Sequence, residues 1–467
     1  MNETPSLHSV GQPVEKSPID LRRRAQTRSE LNSSEADRKK DGLNLLYLCH
    51  RVPCPPDKGD KIRAYHEILS LARHHRVHLL TLADGPVPDL SPLAAVCERV
   101  EVFPIHRPAA FLRAAAGALN PRPLTLSFFE SAALRRRVQE LAGSEKFDLV
   151  VAYSSSMAPY AELVEGVPAV LDMVDVDSAK WGQYSRFAAF PLNQIYALEA
   201  RRLQAYEAGL ARRFERIVLA TGNETRLFKS FAADARAATI PNGVDLDFFQ
   251  PFDLPKAENP TLVFTGQMDY FANVDGVTHF ARVIHPRLRQ RFPDLELLIV
   301  GRAPAPAVRA LGELPGVMVT GAVGDVRPFL SRAWGFVAPL RIAQGVQNKV
   351  LEAMASALPV VCTDRVHAGL SDGGFQHDRD LLVAADDEAM ESNLVALLED
   401  AGLRDRLAEC ARQRLLSSYR WQANMDRFEE LLIAAARRRS TAPGGALALP
   451  KPERPAALRE AGKVRSA

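Results

Sequence analysis

No uninterrupted apolar run near 18 residues occurs in this chain, so no segment is expected to cross a bilayer as a helix. The stretch through Lys40 is polar and charged and has no apolar core of the kind a secretory signal carries. Cysteine is scarce: Cys49, Cys54, Cys97, Cys362 and Cys410 form an odd set without the paired spacing of a zinc site, which fits a reducing cytoplasm. Charge of one sign is lacking too. With 59 basic against 56 acidic residues the formal charge is +3, too small for the global field of a nucleic-acid binder. The basic surplus is local, in the triplets Arg22 to Arg24, Arg135 to Arg137 and Arg437 to Arg439, each read as a solvated face or a contact with anionic lipid. The expectation is a cytoplasmic protein, with peripheral contact at the inner face of a membrane open. GxGxxG after the first strand, a P-loop and GxSxG are all missing, which disfavours a nicotinamide cofactor, P-loop chemistry and a hydrolase triad.

What is present is ordinary globular material, 47% hydrophobic and 25% charged, at a length of 467 residues that suits two or three domains. Residues 1–42 and 439–467 have little apolar periodicity and are expected to be disordered. Between them short apolar runs alternate with longer helical patterns, as in parallel sheets covered by helices on both faces. Strands are predicted at Leu43 to Cys49, Val77 to Leu82, Val100 to Phe103, Asp148 to Ala152, Ala169 to Met173 and Ile217 to Ala220. A second series falls at Thr261 to Thr265, Leu295 to Val300, Val317 to Thr320, Gly335 to Ala338 and Pro359 to Cys362. The proline-flanked segment 251–260 between them reads as a linker. The expected fold is α/β, two Rossmann-like doubly wound domains at 43–250 and 261–420, with strand C-termini facing across a cleft. Val277, Phe280, Ile284 and Leu288 share a helix face, and Pro286 is expected to kink that helix or end its regular part.

The most informative stretch is QGVQNKVLEAMASALP, Gln344 to Pro359. A helix opening there after Gly345 presents Asn348, Lys349 and Glu352, with free N–H groups and a partial positive charge at its start. Lys349 adds a full charge for a diphosphate, and Glu352 can accept hydrogen bonds from a ribose diol. The competing reading is a Lys349–Glu352 surface pair worth a few tenths of a kcal/mol. Gly266 and Gly301 each follow a strand, Arg302 comes next, and backbone N–H groups at such turns can line an anion pocket.

In the first half, HRVPCPPDKGDKIRAYH surrounds Gly59 with Lys58, Lys61 and Arg63. Glycine there allows close backbone approach to a ligand, whereas the alternative is a turn with solvated charges. AVLDMVDVDSAKW gathers Asp172, Asp175 and Asp177 at a strand end, where acids can orient an acceptor hydroxyl or, alternatively, Asp177 or Ser178 can cap the next helix. IPNGVDLDFF carries a tight-turn signal at Pro-Asn-Gly.

Taken together, PPDKGDKIRAYH, DMVDVDSAKW, IPNGVDLDFF, FTGQMDYFANVDGVTHF and RIAQGVQNKVLEAMASALPVV resemble the family 4 glycosyltransferases of GT-B fold over about residues 43 to 438. Within them the chain is most similar to sugar transferases associated with PEP-CTERM and exosortase exopolysaccharide systems. The resemblance implies a nucleotide-diphosphate sugar donor on the second domain and a glycan or lipid-linked acceptor on the first. It also implies retaining transfer without a metal or other cofactor, and a C-terminal helix, 421–438, crossing back to the first domain. Glu352 matches the ribose-binding acid of the family's Glu-x7-Glu motif and Gly59 its loop glycine near the diphosphate. Three features depart from the pattern: Gln344 replaces the first glutamate, Gln267 and Asn273 stand where many members carry Arg and Lys, and Ser154 to Ser156 with Asp175 stand where a catalytic histidine is common. Diphosphate charge is then expected to fall to Arg302, Arg341 and Lys349, with Asp175, Lys349 and Arg341 as catalytic candidates. Donor contacts are expected at Gly59, Gly266, Arg302, Gln344, Gly345, Asn348, Lys349 and Glu352, and acceptor contacts at Lys58, Lys61, Arg63 and Asp177. A silent nucleotide-sugar-binding paralogue and a GT-B epimerase or phosphorylase are the alternatives.

Overall fold

The computed structural model describes residues 42–57, 59–117, 121–252, 254–343 and 345–440. The two expected tails, apart from residues 42, 439 and 440, and with them Lys58 and Gln344, lie outside the described residues. Among the described residues two wholly parallel sheets form. The first has strands β1 (Asn44–Cys49), β2 (Arg76–Ala83), β3 (Arg99–Pro104), β4 (Leu149–Tyr153), β5 (Ala169–Val174), β6 (Arg216–Leu219) and β7 (Ala237–Thr239) in the order β3-β2-β1-β4-β5-β6-β7. The second has β8 (Thr261–Thr265), β9 (Glu296–Val300), β10 (Val317–Gly321), β11 (Gly335–Ala338), β12 (Val360–Thr363) and β13 (Leu382–Ala384) in the order β10-β9-β8-β11-β12-β13. Both orders reverse beside the first strand of their lobe, the switch point at which doubly wound sheets open a crevice. The central strands are buried on both faces, which is why they read as continuous apolar runs.

The helices that build the cleft are α1 (Gly59–Leu71), α2 (Asp177–Phe187), α3 (Leu192–Leu210), α4 (Phe271–His279), α5 (His285–Arg291), α6 (Asn348–Ala355) and α7 (Trp421–Ser440). Val277, Phe280, Ile284 and Leu288 all enter the second core. The regular α-helix ends at His279, ahead of Pro286. A π-helical segment, Phe280–Ile284, widens the coil just ahead of the proline, so α5 restarts with Pro286 in its first turn, where no N–H is needed. The described residues of segment 251–260 form no helix or strand, and Lys256 Nζ to Ala333 O (2.7 Å) and Trp334 Nε1 to Ala257 O (2.9 Å) hold them on the second lobe.

Helix α7 leaves the second lobe and packs on the first. Met425, Phe428 and Leu432 join the core formed by β1 and α1, and Trp421 stacks on His66 at 4.2 Å. Glu429 receives His74 Nδ1 at 2.9 Å and lies 3.2 Å from His75 Nε2, so these two histidines hold this helix. Among the described residues no helix is long and apolar enough to cross a membrane.

Candidate functional site

The two lobes meet where the C-terminal ends of β1 and β5 face the start of α6. Gln347 precedes α6 in extended conformation with no side-chain cap, and Val350 N donates to Gln347 O at 2.9 Å as the first bond of the turn. The amides ahead of it therefore lack helical acceptors. The apolar side of α6, Val350, Leu351, Ala353 and Met354, is sunk in the second core, which turns Asn348, Lys349 and Glu352 toward the cleft. Lys349 and Glu352 are half-buried, not the exposed surface pair of the competing reading.

Lys349 reaches under the turn after β8. Its Nζ bonds Asn273 Oδ1 and lies 4.8 Å from the centroid of the Phe264 ring. Gly266 has φ +155°, and a Cβ there would stand 2.8 Å from Asn273 Nδ2 and 3.2 Å from Lys349 Nζ, so only glycine leaves this approach open. Burial lowers the ammonium pKa to about 7 against a smaller opposing effect of Glu352. Burial likewise raises the Glu352 carboxyl to about 7, partly offset by Lys349. Neither charge is fully compensated by the protein, the condition under which an anion on one side and a diol on the other gain most. The amine thus stands against Asn273, one of the two positions where the resembled family's cation is missing.

Across the cleft, Asn348 Oδ1 accepts from Asn242 Nδ2 at 3.2 Å, and a Cβ at Gly59 would lie 3.7 Å from Asn348 Nδ2. Gly345 has φ +60°, and a side chain there would collide with the Asp175 carboxylate. Asp175 is placed by an unusual turn: Val174, β-branched, takes φ 65°, where its N–H is held by Asp172 Oδ1 at 2.9 Å and its carbonyl by Ala220 N at 2.7 Å. Such a conformation costs about 1–3 kcal/mol and persists only where neighbours fix it. Burial raises the Asp175 pKa to about 6, with Lys180 opposing and Asp177 adding. Asp177 is the first residue of α2, not its cap, since Val176 holds that position. Its carboxylate takes Lys180 Nζ and the Ser155 hydroxyl (3.2 Å).

Several expected contacts resolve differently. Arg63 is not an acceptor-binding residue: it is fully buried, with Nε 2.8 Å from Asp172 Oδ2 and 2.9 Å from Glu67 Oε1, and NH1 bonded to Ile240 O (2.7 Å) and Asn242 Oδ1 (3.0 Å). It lies beneath the site and holds Asn242, which in turn meets Asn348. Arg341 is engaged by Asp275, with Nε to Oδ2 at 2.9 Å, so its charge is already matched, and its guanidinium lies 5.7 Å from the Phe187 ring centre. Arg302 and Lys61 converge on Asp57 from opposite lobes, at 2.5 Å and 3.2 Å. The Arg302–Asp57 pair thus bridges the two lobes. Among the described residues no group of three or more His, Cys, Asp or Glu is placed to hold a metal ion.

Sequence reasoning read Asn242 only as part of a turn and passed over Lys180, Tyr184 and Tyr270. Tyr184 Oη and Tyr270 Oη bond across the cleft at 2.7 Å. The i,i+3 spacing of Asp177 and Lys180 was the available signal for that pair. Nothing in the sequence marked the two tyrosines as partners.

Residues 259–400 match the family model for glycosyl transferases group 1. Over 232 residues the chain is 31% identical to phosphatidyl-myo-inositol mannosyltransferase of Mycolicibacterium smegmatis, covering 47% of this chain and 58% of that protein. It is 30% identical over 226 residues to the lipopolysaccharide core biosynthesis mannosyltransferase LpsB of Rhizobium meliloti, covering 44% of this chain and 61% of that one. The chain therefore spans less than two thirds of the length of these relatives. Among solved structures, sucrose-phosphate synthase of Thermosynechococcus elongatus is similar with a TM-score of 0.63 at 17% identity, over 84% of this chain and 100% of that one. HepE of Anabaena in complex with UDP and glucose gives a TM-score of 0.58 at 14% identity, over 84% of this chain and 100% of that one. The chain thus has the GT-B fold, and its residues 259–400 carry the match to the glycosyl transferases group 1 family.

Proposed function

We propose that this protein is a glycosyltransferase that moves a sugar from a nucleoside diphosphate to a glycan or lipid-linked acceptor, with retention and without a metal ion, in bacterial exopolysaccharide synthesis at or near the membrane surface. The observation that carries the donor half is the Lys349 amine, half-buried between Gly266, Asn273 and the open start of α6. In this reading the diphosphate lies over that helix start, Glu352 takes the ribose hydroxyls, and the sugar points toward Gly345 and Asp175. As the anomeric bond breaks, negative charge builds on the leaving diphosphate. A preorganised ammonium and free N–H groups lower that barrier without reorganising. The neighbour holding UDP and glucose, and the two mannosyltransferase relatives, support donor chemistry of this class.

Asp175 suits the acceptor side. With a pKa near 6 it is mostly ionised at neutral pH, and it faces the backbone of Gly345 rather than a cation bonded to it. It can orient an incoming hydroxyl and receive its proton.

A thermal-shift screen of nucleotide sugars tests the reading, because a ligand at 100 times its Kd stabilises the protein by about 2.7 kcal/mol. Stabilisation by at least one nucleotide sugar is expected, followed by release of its nucleoside diphosphate when an acceptor panel is added. Binding without turnover on every acceptor would instead show a silent binder.

A further inference from the structure

Burying a carboxyl group costs free energy unless hydrogen bonds hold it, so several of them bonded to one short segment fix that segment in place. Asp172, Glu207 and Glu224 are each at most 4% exposed and come from three elements: β5, the last turn of α3 and the first turn of the helix Gly222–Phe231. All three bond the stretch Val174–Ser178. Val174 N donates to Asp172 Oδ1 (2.9 Å), Val176 N to Glu224 Oε2 (2.6 Å) and Ser178 N to Glu207 Oε1 (3.1 Å), and the Ser178 hydroxyl donates to Glu207 Oε2. Every second amide is thus held from the interior.

The residues between those amides are the two acids at the cleft. Asp175 and Asp177 are half-buried, whereas Val176 and Ser178 are buried. Helix α2 starts at Asp177, and Val176 in the cap position supplies no side-chain acceptor for the free amides of the first turn. Glu207 supplies one from the neighbouring helix, at the amide a capping side chain ordinarily takes. An acid in the last turn of a helix opposes that helix's dipole, so Glu207 does not serve α3 itself. Burial pushes its carboxyl up to about 8, with Asp177 adding and Ser178 and Lys180 opposing. The clamp is therefore mostly neutral at pH 7 and holds by shape and hydrogen bonds. Glu199, about 12 Å earlier along α3, is a second clamp of the same kind: it is 2% exposed and takes Leu124 N (2.7 Å) and Thr125 N (2.8 Å), residues outside the proposed site.

Resting on the glycosyl-transfer reading above, we propose that Glu207 is a positioning residue of the transfer site, which fixes the start of α2 through Ser178 and so holds Asp175 aimed at the acceptor hydroxyl.

The test replaces Glu207 by leucine, which keeps the bulk and removes both acceptor oxygens, and by glutamine, which keeps an acceptor for the amide. Glu199→Leu opens the other clamp and serves as the control. The Asp175 carboxyl is followed by NMR of the ligand-free full chain carrying isotope-labelled aspartate, with its signal assigned from Asp175→Asn. In the parent, in Glu207→Gln and in Glu199→Leu it is expected to titrate near 6. In Glu207→Leu the loosened segment admits water, and the midpoint is expected to fall toward the ordinary aspartate value of about 4. Lys180, Asp177, Arg63 and Asp172 also act on Asp175 and are unchanged in all these clamp variants. On any acceptor that the parent turns over, nucleoside diphosphate release is expected to fall about ten- to 100-fold in Glu207→Leu and to be restored in Glu207→Gln. A midpoint that stays near 6 in Glu207→Leu, or that Glu199→Leu moves as far, overturns the proposal, because Glu207 would then serve stability alone. Should Glu207→Leu not fold, Ser178→Ala, a milder cut at the same clamp, is read in the same way. A parent that no nucleotide sugar stabilises overturns the transfer reading, while the titration, read without substrate, still decides what Glu207 does to Asp175.

Discussion

The two lobes share a strand order and a switch point, yet they handle charge in opposite ways. In the first lobe the ionic groups near the cleft other than Asp175 are largely paired: Arg63 with Asp172 and Glu67, Asp177 with Lys180, and Lys61 with Asp57, which Arg302 also reaches. In the second lobe, Lys349 has an amide oxygen for a partner and sits where burial lowers its pKa. Paired buried charges hold geometry, whereas an under-compensated one is an open offer to a ligand. Fold alone gives both lobes the same crevice; in the function proposed above, the under-compensated Lys349 is what marks the second for the anionic donor.

The comparison breaks first at Arg63. Replacing it with alanine leaves Asp172 and Glu67 buried without their cation, and urea denaturation is expected to show a loss of about 3–5 kcal/mol. A change under 1 kcal/mol would mean the first lobe does not depend on this network. Lys349→Ala is expected to act the other way. Its kcat falls by about 100- to 1,000-fold, roughly 3–4 kcal/mol in the barrier, while the melting temperature holds or rises because a buried ammonium is removed. Loss of folding with no specific loss of turnover would dissolve the contrast.

Asn242 joins the lobes, accepting from Arg63 and donating to Asn348. Asn242→Ala removes about 1 kcal/mol of cross-cleft bonding, so the donor Kd is expected to rise several-fold in a calorimetric titration; an unchanged Kd would detach α6 from the first lobe. The smallest effect is expected at Asp57. Its pair with Arg302 is about one third exposed on each side, and Asp57→Asn should change stability by under about 1 kcal/mol, with any effect fading at high salt.

The sheet cores were legible because their strands are buried on both faces and stand out as apolar runs. Eleven strands fall within two residues of the sequence reading. Strands β7 and β13 were missed: Ala-Ala-Thr and Leu-Val-Ala are three residues each and carry no run to detect. The helix start at Asn348 was legible for a local reason, the Gly-x-x-Asn-Lys order ahead of an apolar face. Arg63 was misread because its sequence neighbours are polar and charged, and nothing local shows that Asp172, 109 residues on, buries it. The tyrosine pair across the cleft is a long-range contact of the same kind. The end of the regular helix ahead of Pro286 was legible from the proline's missing donor, whereas the π turn that follows it was not.

The central claim is that Lys349 receives the donor diphosphate, and the pH dependence of nucleoside diphosphate binding tests it most directly. The free amine titrates near 7, below its ordinary value, so it is charged below that pH and loses its charge as pH rises. An anion binds the charged form, so affinity is greatest below pH 7. Calorimetric titration of UDP from pH 6 to 9 is expected to show weakening above pH 7, by up to about ten-fold per pH unit, in the parent, and a weaker affinity with a shallower pH dependence in Lys349→Met, where of this pair only Glu352 still titrates. Parallel profiles for parent and variant, with equal affinities, would contradict the account.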